Sequence, residues 1–344
     1  MTFGERAFDA GGPTLAETGE VEVLRRLREV AASGSIEALV VGPGDDAAVW
    51  APPPGREVAL TQDALVEDRD FRRRWIAPRV LGRRALTVSL SDLAGMGARP
   101  AWCLATLCAP GDTELEDVLE IQRGLVEAAS GAFCAVAGGD VSDTGGPIVI
   151  DVTAGGTAAR GRWLRRDAGR PGDALLVTGC LGAAAAGLVW LEGGGSDGGD
   201  DRATAWVDAL LAPTARVAEG LLLAETGVRC AGDISDGLVA DAGRTAHASG
   251  CGAELWLDDL PVAPGLQRSF PEQWPDLALG GGEDFELLCA VAPDATAGLL
   301  AAWPADLAPL REVGRLVEGS GVVLLRRRGG EAVALPQPRS RHWR

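Results

Sequence analysis

The sequence predicts an α/β or α+β protein of two domains, spanning 1–160 and 161–344. Three observations carry this. Apolar runs of strand length alternate with segments of helical periodicity along the whole chain, the pattern of mixed sheet-and-helix layers. At 344 residues, 47% hydrophobic and 24% charged, the chain exceeds what one core usually serves and reads as soluble and globular. An arginine-rich polar stretch at 160–172, ending Arg170-Pro171-Gly172-Asp173, breaks the pattern in two.

The elements follow in order. Residues 1–19 are polar and glycine-rich and form a loose arm. Val21, Leu24, Leu27 and Val30 share one face of a predicted helix over 20–32, with Glu20 and Glu22 placed near its positive end. A short strand over 58–61 delivers Gln62 and Asp63. The charge-dense stretch 67–74 faces solvent. From Pro78 the spacing of Leu81, Ala85 and Val88 is helical, and its next position is Asp92. Either Asp92 sits in register with a buried stripe, costly unless paired or metal-bound, or Ser91 or Asp92 caps a new helix. Strands are expected over 102–108, 132–137 and 148–153, a helix over 114–130, and a loop at Gly138-Gly139-Asp140. In the second half a strand over 174–178 precedes a helix over 182–191. A glycine- and aspartate-rich surface loop over 192–202 comes next. A helix starts at Asp233-Ile234-Ser235-Asp236-Gly237 and ends at Gly250. Strands follow over 253–257 and 285–291, and an arginine-rich tail closes the chain.

The chemistry lies in glycine-flanked acidic turns. In Gly42-Pro43-Gly44-Asp45-Asp46-Ala47-Ala48-Val49 the backbone must turn, and two carboxylates follow at once. Neighbours in an extended segment point to opposite sides, so at most one aims directly into a given site. Asp63, Asp92, Asp140, the pair Asp233 and Asp236, and Gly280-Gly281-Gly282-Glu283-Asp284 extend the series. One such turn is commonly a cap, but five or six in one chain exceed what caps explain. Converging carboxylates persist only with cations between them, and Mg²⁺, the natural hard cation, carries phosphates.

Composition excludes several other chemistries. The net charge of −17 leaves no basic stripe for nucleic acid and makes an anionic substrate awkward unless metal ions intervene. All 32 basic residues are arginine, so there is no Walker A, Schiff-base or nucleophile-activating lysine. The seven cysteines form no C-x-x-C pair, and the two histidines, His247 and His342, are far apart, which argues against zinc and for free thiols in a reducing cytoplasm. No membrane partner is expected, since the opening is no signal peptide and no apolar run has the length of a span. Gly42-x-Gly44-x-x-Ala47 fits a dinucleotide loop poorly, because Asp45 and Asp46 would face the pyrophosphate. Gly194-Gly195-Ser196-Asp197-Gly198 matches a nucleophile elbow only formally, with no strand before it.

Taken together, the Gly42–Val49 loop, Ser91-Asp92-Leu93-Ala94-Gly95-Met96-Gly97-Ala98, Gly138-Gly139-Asp140, Asp233-Ile234-Ser235-Asp236-Gly237-Leu238 and Gly281-Gly282-Glu283-Asp284-Phe285-Glu286-Leu287 resemble the thiamine-monophosphate kinase family. Order and spacing match from about Gly19 to the C-terminus. The resemblance implies a two-domain aminoimidazole ribonucleotide synthetase-like fold. In it, strands of the N-terminal, ATP- and Mg-binding domain join those of a second copy in a dimeric β-barrel. The C-terminal α/β domain supplies substrate-contacting loops. It implies ATP-dependent phosphorylation of thiamine monophosphate to thiamine diphosphate by direct in-line transfer, in the cytoplasm, with several Mg²⁺ ions and a homodimer. By position, Asp46, Thr61, Asp63, Asp92, Asp140, Asp233 and Asp236 are the implied metal ligands. Gly139, Asp140, Arg166 and Ser235 are implied nucleotide contacts, and Asp70, Glu283 and Trp343 stand at substrate positions. Gln62 replaces a usual threonine, Val141-Ser142 replace threonines, and Asp70 replaces a usual histidine. An aspartate at 70 would repel a substrate phosphate or touch the cationic thiazolium. The alternative is therefore a related ATP-dependent kinase or synthetase acting on a different small acceptor.

Overall fold

The computed structural model describes residues 7–34, 39–195 and 201–336. The chain divides into two compact units, one bounded as Met1–Leu93 with Arg99–Arg160, the other as Ala94–Ala98 with Gly161–Arg344.

The first unit opens with α1 (Leu15–Thr18), capped by a reciprocal Thr14–Glu17 box, and α2 (Glu20–Ala31). Then come β1 (Leu39–Val41), β2 (Val49–Trp50), β3 (Arg56–Val66), α3 (Pro78–Gly95), β4 (Arg99–Ala109), α4 (Leu115–Gly131), β5 (Ala135–Asp143) and β6 (Val149–Ala159). Its main sheet has the order β3-β6-β4-β5. β6 runs antiparallel to both β3 and β4, while β4 and β5 are parallel, a connection made by α4. Helix α2 differs from expectation at one position. Val21 is 86% exposed, and Val23 is buried with Leu115 and Leu119, while Leu27 and Val30 pack against them. The stripe Val23, Leu27, Val30 is spaced four and three and the expected one by threes; both keep to one helical face over so few turns, so periodicity alone does not choose between the two phases.

Helices α3 and α4 meet backbone to backbone. A Cβ on Gly82 would lie 1.9 Å from the Ile121 carbonyl oxygen, and one on Gly124 would lie 2.0 Å from that of Arg79. Ser91 and Asp92 lie inside α3, so neither caps a new helix. The segment Gly138-Gly139-Asp140, expected as a loop, lies within β5. The glycines serve close strand approach there: a Cβ on Gly139 would sit 1.9 Å from the Ala105 carbonyl oxygen.

The second unit comprises β7 (Ala174–Thr178), α5 (Ala183–Glu192), α6 (Asp201–Leu211), α7 (Val217–Glu225), β8 (Cys230–Ile234), α8 (Leu238–Ala248), β9 (Gly252–Trp256), α9 (Leu266–Ser269), α10 (Trp274–Gly280), β10 (Glu286–Val291), α11 (Pro293–Ala302), β11 (Leu310–Val317), β12 (Val323–Arg326) and β13 (Ala332–Val333). Its seven-stranded sheet has the order β13-β12-β9-β11-β7-β10-β8. Both faces are covered: Leu175, Val177 and Leu288 enter one apolar cluster, Ala174, Leu176 and Leu287 the other. Burial on both faces accounts for the continuous apolar runs of β7 and β10. Among the described residues no helix is long and apolar enough to cross a membrane.

Candidate functional site

In the first unit the alternation along β3 separates two groups of polar residues. Thr61 and Asp63 face α3: the Thr61 hydroxyl donates to the Asp92 carboxylate, and Ser89 Oγ donates at 3.1 Å to both Asp63 Oδ2 and the Val152 carbonyl. Burial, then the Asp92 charge, pushes the Asp63 carboxyl up to about 6, with Asp151 adding to the effect and the Ser89 hydrogen bond opposing it. The helical spacing that placed Asp92 on this side of α3 therefore aims it at β3, where it meets the Thr61 hydroxyl.

Gln62 points the other way, its Nε2 donating to both carboxylate oxygens of Asp151 at 2.8 and 2.9 Å. Asp151 stands opposite Thr106 on β4, which in turn stands opposite Asp140 on β5, so these three side chains share a sheet face. That face borders a cavity of about 590 Å³, whose lining includes Asp45, Asp46, Gln62, Gly139, Asp140 and Asp151. The volume lies in the usual range for a small-molecule site. Within the acidic turn Gly44 has φ +124°, and the Asp46 N–H donates to the Asp45 carboxylate at 2.9 Å. The turn thereby holds Asp45 and leaves the exposed Asp46 carboxylate available.

In the second unit Asp233, the penultimate residue of β8, is buried, with Arg166 Nη2 donating to its Oδ1 at 3.0 Å and to its carbonyl at 3.2 Å. Gly232 leaves room for that arginine, since a Cβ there would lie 2.4 Å from Arg166 Nε and push the guanidinium off Asp233. Close approach also explains the small residues after Asp92: a Cβ on Gly95 would lie 2.8 Å from the Asp233 nitrogen. Asp236 precedes α8 and receives Arg244 Nη1 at 2.6 Å, while its own N–H donates to Asp241 Oδ2 at 3.0 Å. Burial pushes the Asp241 carboxyl up, and the Arg244 guanidinium pulls against it.

The last acidic turn folds back onto the same loop. Glu283 and Phe285 have φ of 61° and 50°, strained for non-glycine residues, and their N–H groups donate to the carbonyls of Ser235 and Ile234 at 2.7 and 3.0 Å. Asp284 receives the Gly182 N–H at 2.9 and 3.0 Å, and burial pushes its carboxyl up to about 8. Next to it, buried Glu286 takes a bidentate Arg216 at 2.7 and 2.6 Å and the Thr178 hydroxyl at 2.7 Å.

Comparison with known proteins places this arrangement. Residues 44–158 match the AIR synthase related protein N-terminal domain, and 170–326 match the corresponding C-terminal domain. The thiamine-monophosphate kinase of Caulobacter vibrioides is 33% identical over 322 residues, covering 91% of this chain and 88% of that protein. The chain belongs to the thiamine-monophosphate kinase family. Among solved structures of that family, the enzyme from Stenotrophomonas maltophilia K279a superposes with a TM-score of 0.79 at 34% identity, covering 90% of this chain and 96% of that one. AaThiL complexed with AMPPCP and TMP superposes with a TM-score of 0.72 at 29% identity, covering 94% and 99%.

Within this kinase-family chain the implied residues fall into separate sets. Asp46, Gly139 and Asp140 line the cavity, and Thr61, Asp63 and Asp92 cluster between β3 and α3. Asp233, Asp236, Ser235 and Glu283 gather around the start of α8 in the second unit, with Arg166 on Asp233. Among the described residues no group of three or more His, Cys, Asp or Glu side chains converges as a ready metal cage. Asp70 is turned inward, its Oδ2 accepting the Val66 N–H at 2.8 Å and closing the 66–71 turn. Trp343, and Ser196 and Asp197 of the formal elbow, lie outside the described residues. Asp151, Asp241, Arg244 and the Glu286–Arg216 pair escaped sequence reading. Asp151 alone carried a signal, an acidic residue alternating with apolar ones in an expected strand.

Proposed function

We propose that the chain transfers the γ-phosphoryl group of ATP directly and in line to thiamine monophosphate, forming thiamine diphosphate, with Mg²⁺. The observation that carries this is the likeness, over 94% of the chain, to a protein described in complex with AMPPCP and TMP. The residues fit Mg²⁺, which takes one or two carboxylates and completes its shell with water and phosphate oxygens, so the lack of a three-carboxylate cage is no obstacle. The raised Asp63 carboxyl beside Asp92, with hydroxyl donors from Ser89 and Thr61, is a hard-oxygen set whose mutual repulsion a cation would relieve. Asp46, Thr61, Asp63, Asp92, Asp140, Asp233 and Asp236 would hold the ions. When bound, Mg²⁺ supplies charge neutralisation between two phosphate-bearing reactants.

The chain's own contribution is positioning. Gly139, where β4 and β5 close together at the cavity wall, and Arg166 and Ser235 are nucleotide contacts. The acceptor phosphate is already anionic at neutral pH, so no strong general base is required of Glu283 or Trp343, which contact the acceptor, while Asp70, held by the Val66 N–H, shapes the 66–71 turn instead. The 1–160 half carries ATP, Mg²⁺ and dimerisation, and the 161–344 half the substrate-contacting loops. Val58, Leu60 and Leu104, exposed on one sheet face at 42%, 67% and 40%, support burial against a second copy of the chain in a shared barrel. The enzyme acts in the cytoplasm.

The test is formation of thiamine diphosphate from thiamine monophosphate and ATP, with and without Mg²⁺. Metal-dependent product is expected. A folded, ATP-binding protein that forms none refutes the acceptor.

A further inference from the structure

We propose that Arg244 is a positioning residue that competes with a divalent cation for the Asp236 carboxylate and so sets the Mg²⁺ concentration at which that position fills. The inference rests on the reading of Asp236 as a metal ligand. Its basis is a fork at the start of α8. Asp241, 1% exposed, is fixed from one side by the Asp236 N–H on its Oδ2. On its other oxygen it accepts the Arg244 guanidinium, through Nε at 3.1 Å and through Nη2. The remaining arm of the guanidinium, Nη1, reaches Asp236 Oδ2 at 2.6 Å.

Asp241 thus anchors the arginine, and Asp236 is the anion it covers. The two acids differ in what they can give up. Asp241 is buried and would lose its directly paired guanidinium without Arg244, keeping only the Asp236 N–H and the more distant Arg166 charge, whereas Asp236 keeps 30% of its side-chain surface in contact with solvent and can exchange one cation for another. The Asp236 backbone is tied to the same anchor, since its N–H is held by Asp241 Oδ2. A divalent ion there displaces Nη1 while the Asp241 anchor keeps the guanidinium charge close, so the arginine opposes the ion twice, by occupancy and by repulsion. In the first unit the corresponding carboxylates, Asp63 and Asp92, instead take hydroxyl donors from Ser89 and Thr61.

The experiment is calorimetric Mg²⁺ titration of the full chain without nucleotide, for wild type, Arg244→Gln, Arg244→Lys and Asp236→Asn, with folding checked by thermal unfolding. Arg244→Gln is expected to bind Mg²⁺ about 3- to 10-fold more tightly, the size expected of a partly exposed, charge-assisted pair. Arg244→Lys, which keeps the charge, should return most of the way to wild type. Asp236→Asn should weaken binding. If Arg244→Gln unfolds because Asp241 is left bare, the Asp241→Asn/Arg244→Gln double variant carries the same expectation. Unchanged or weaker binding in a folded Arg244 variant, with Asp236→Asn still weakened, overturns the competition alone. Unchanged binding in Asp236→Asn overturns the metal role of Asp236 and the competition with it.

Discussion

Replacing Asp63 with Asn should stabilise the protein and disable it in one step. The Asp63 carboxyl is pushed up to about 6 from an ordinary 3.8 by burial and by Asp92. The folded state therefore holds that proton to higher pH than the unfolded chain. Stability falls as pH rises from about 4 to about 6 and stays at the lower level above that window. One pK unit corresponds to about 1.4 kcal/mol, so the undiminished penalty at pH 7.5 is about 3 kcal/mol. Asp63 is only half-buried, and screening reduces this to about 1–2 kcal/mol. Asn carries no charge, still accepts from Ser89 Oγ, and can donate towards Asp92. In EDTA at pH 7.5 the variant should melt a few degrees above wild type, and the gap should close near pH 4. Thiamine diphosphate formation should fall by about 100-fold or more with a metal-binding oxygen lost. A variant no more stable than wild type at pH 7.5 refutes the burial-and-repulsion account. Near-normal turnover at saturating Mg²⁺ refutes the metal role.

Other outcomes follow from the same contacts. Asp70→His removes the acceptor for the Val66 N–H and should destabilise the 66–71 turn by about 1 kcal/mol, read by urea unfolding, without raising activity toward thiamine monophosphate. Arg216→Met strips the guanidinium from buried Glu286 and should cost about 3–5 kcal/mol. The orphaned Glu286 then holds its proton more tightly, so the loss grows as pH rises. Adding Glu286→Gln should recover part of it in denaturation experiments. Gly124→Ala should destabilise the first unit by about 1–3 kcal/mol despite better helix propensity, because the Cβ falls 2.0 Å from the Arg79 carbonyl oxygen; a raised melting temperature would contradict the close α3–α4 contact.

Local pattern made much of the fold legible. The four-and-three spacing of Leu81, Ala85, Val88 and Asp92 put Asp92 on a defined face of α3, where it meets Thr61. The glycines at 42 and 44 announced a turn bearing Asp46, and that turn borders the cavity. Where two readings share one pattern, sequence did not choose. Val21 and Val23 both fit an apolar stripe on α2, and which one is buried depends on where Leu115 and Leu119 arrive. Gly138-Gly139 reads as a loop until the close approach of β4 makes glycine the residue a strand needs there.

By itself the sequence determined the alternating elements, the absence of lysine chemistry, the glycine-flanked acidic turns and the family they resemble. These are legible because helix periodicity, strand alternation and turn glycines act over a few neighbouring residues. Only the tertiary structure decided which carboxylates face hydroxyls and which face arginines. Gln62 meets Asp151 from 89 residues away, Arg166 meets Asp233 from 67, and Arg216 meets Glu286 from 70. Such partners are chosen by the packing of whole strands and helices, and side-chain electrostatics follows from proximity in space, which no short-range pattern encodes.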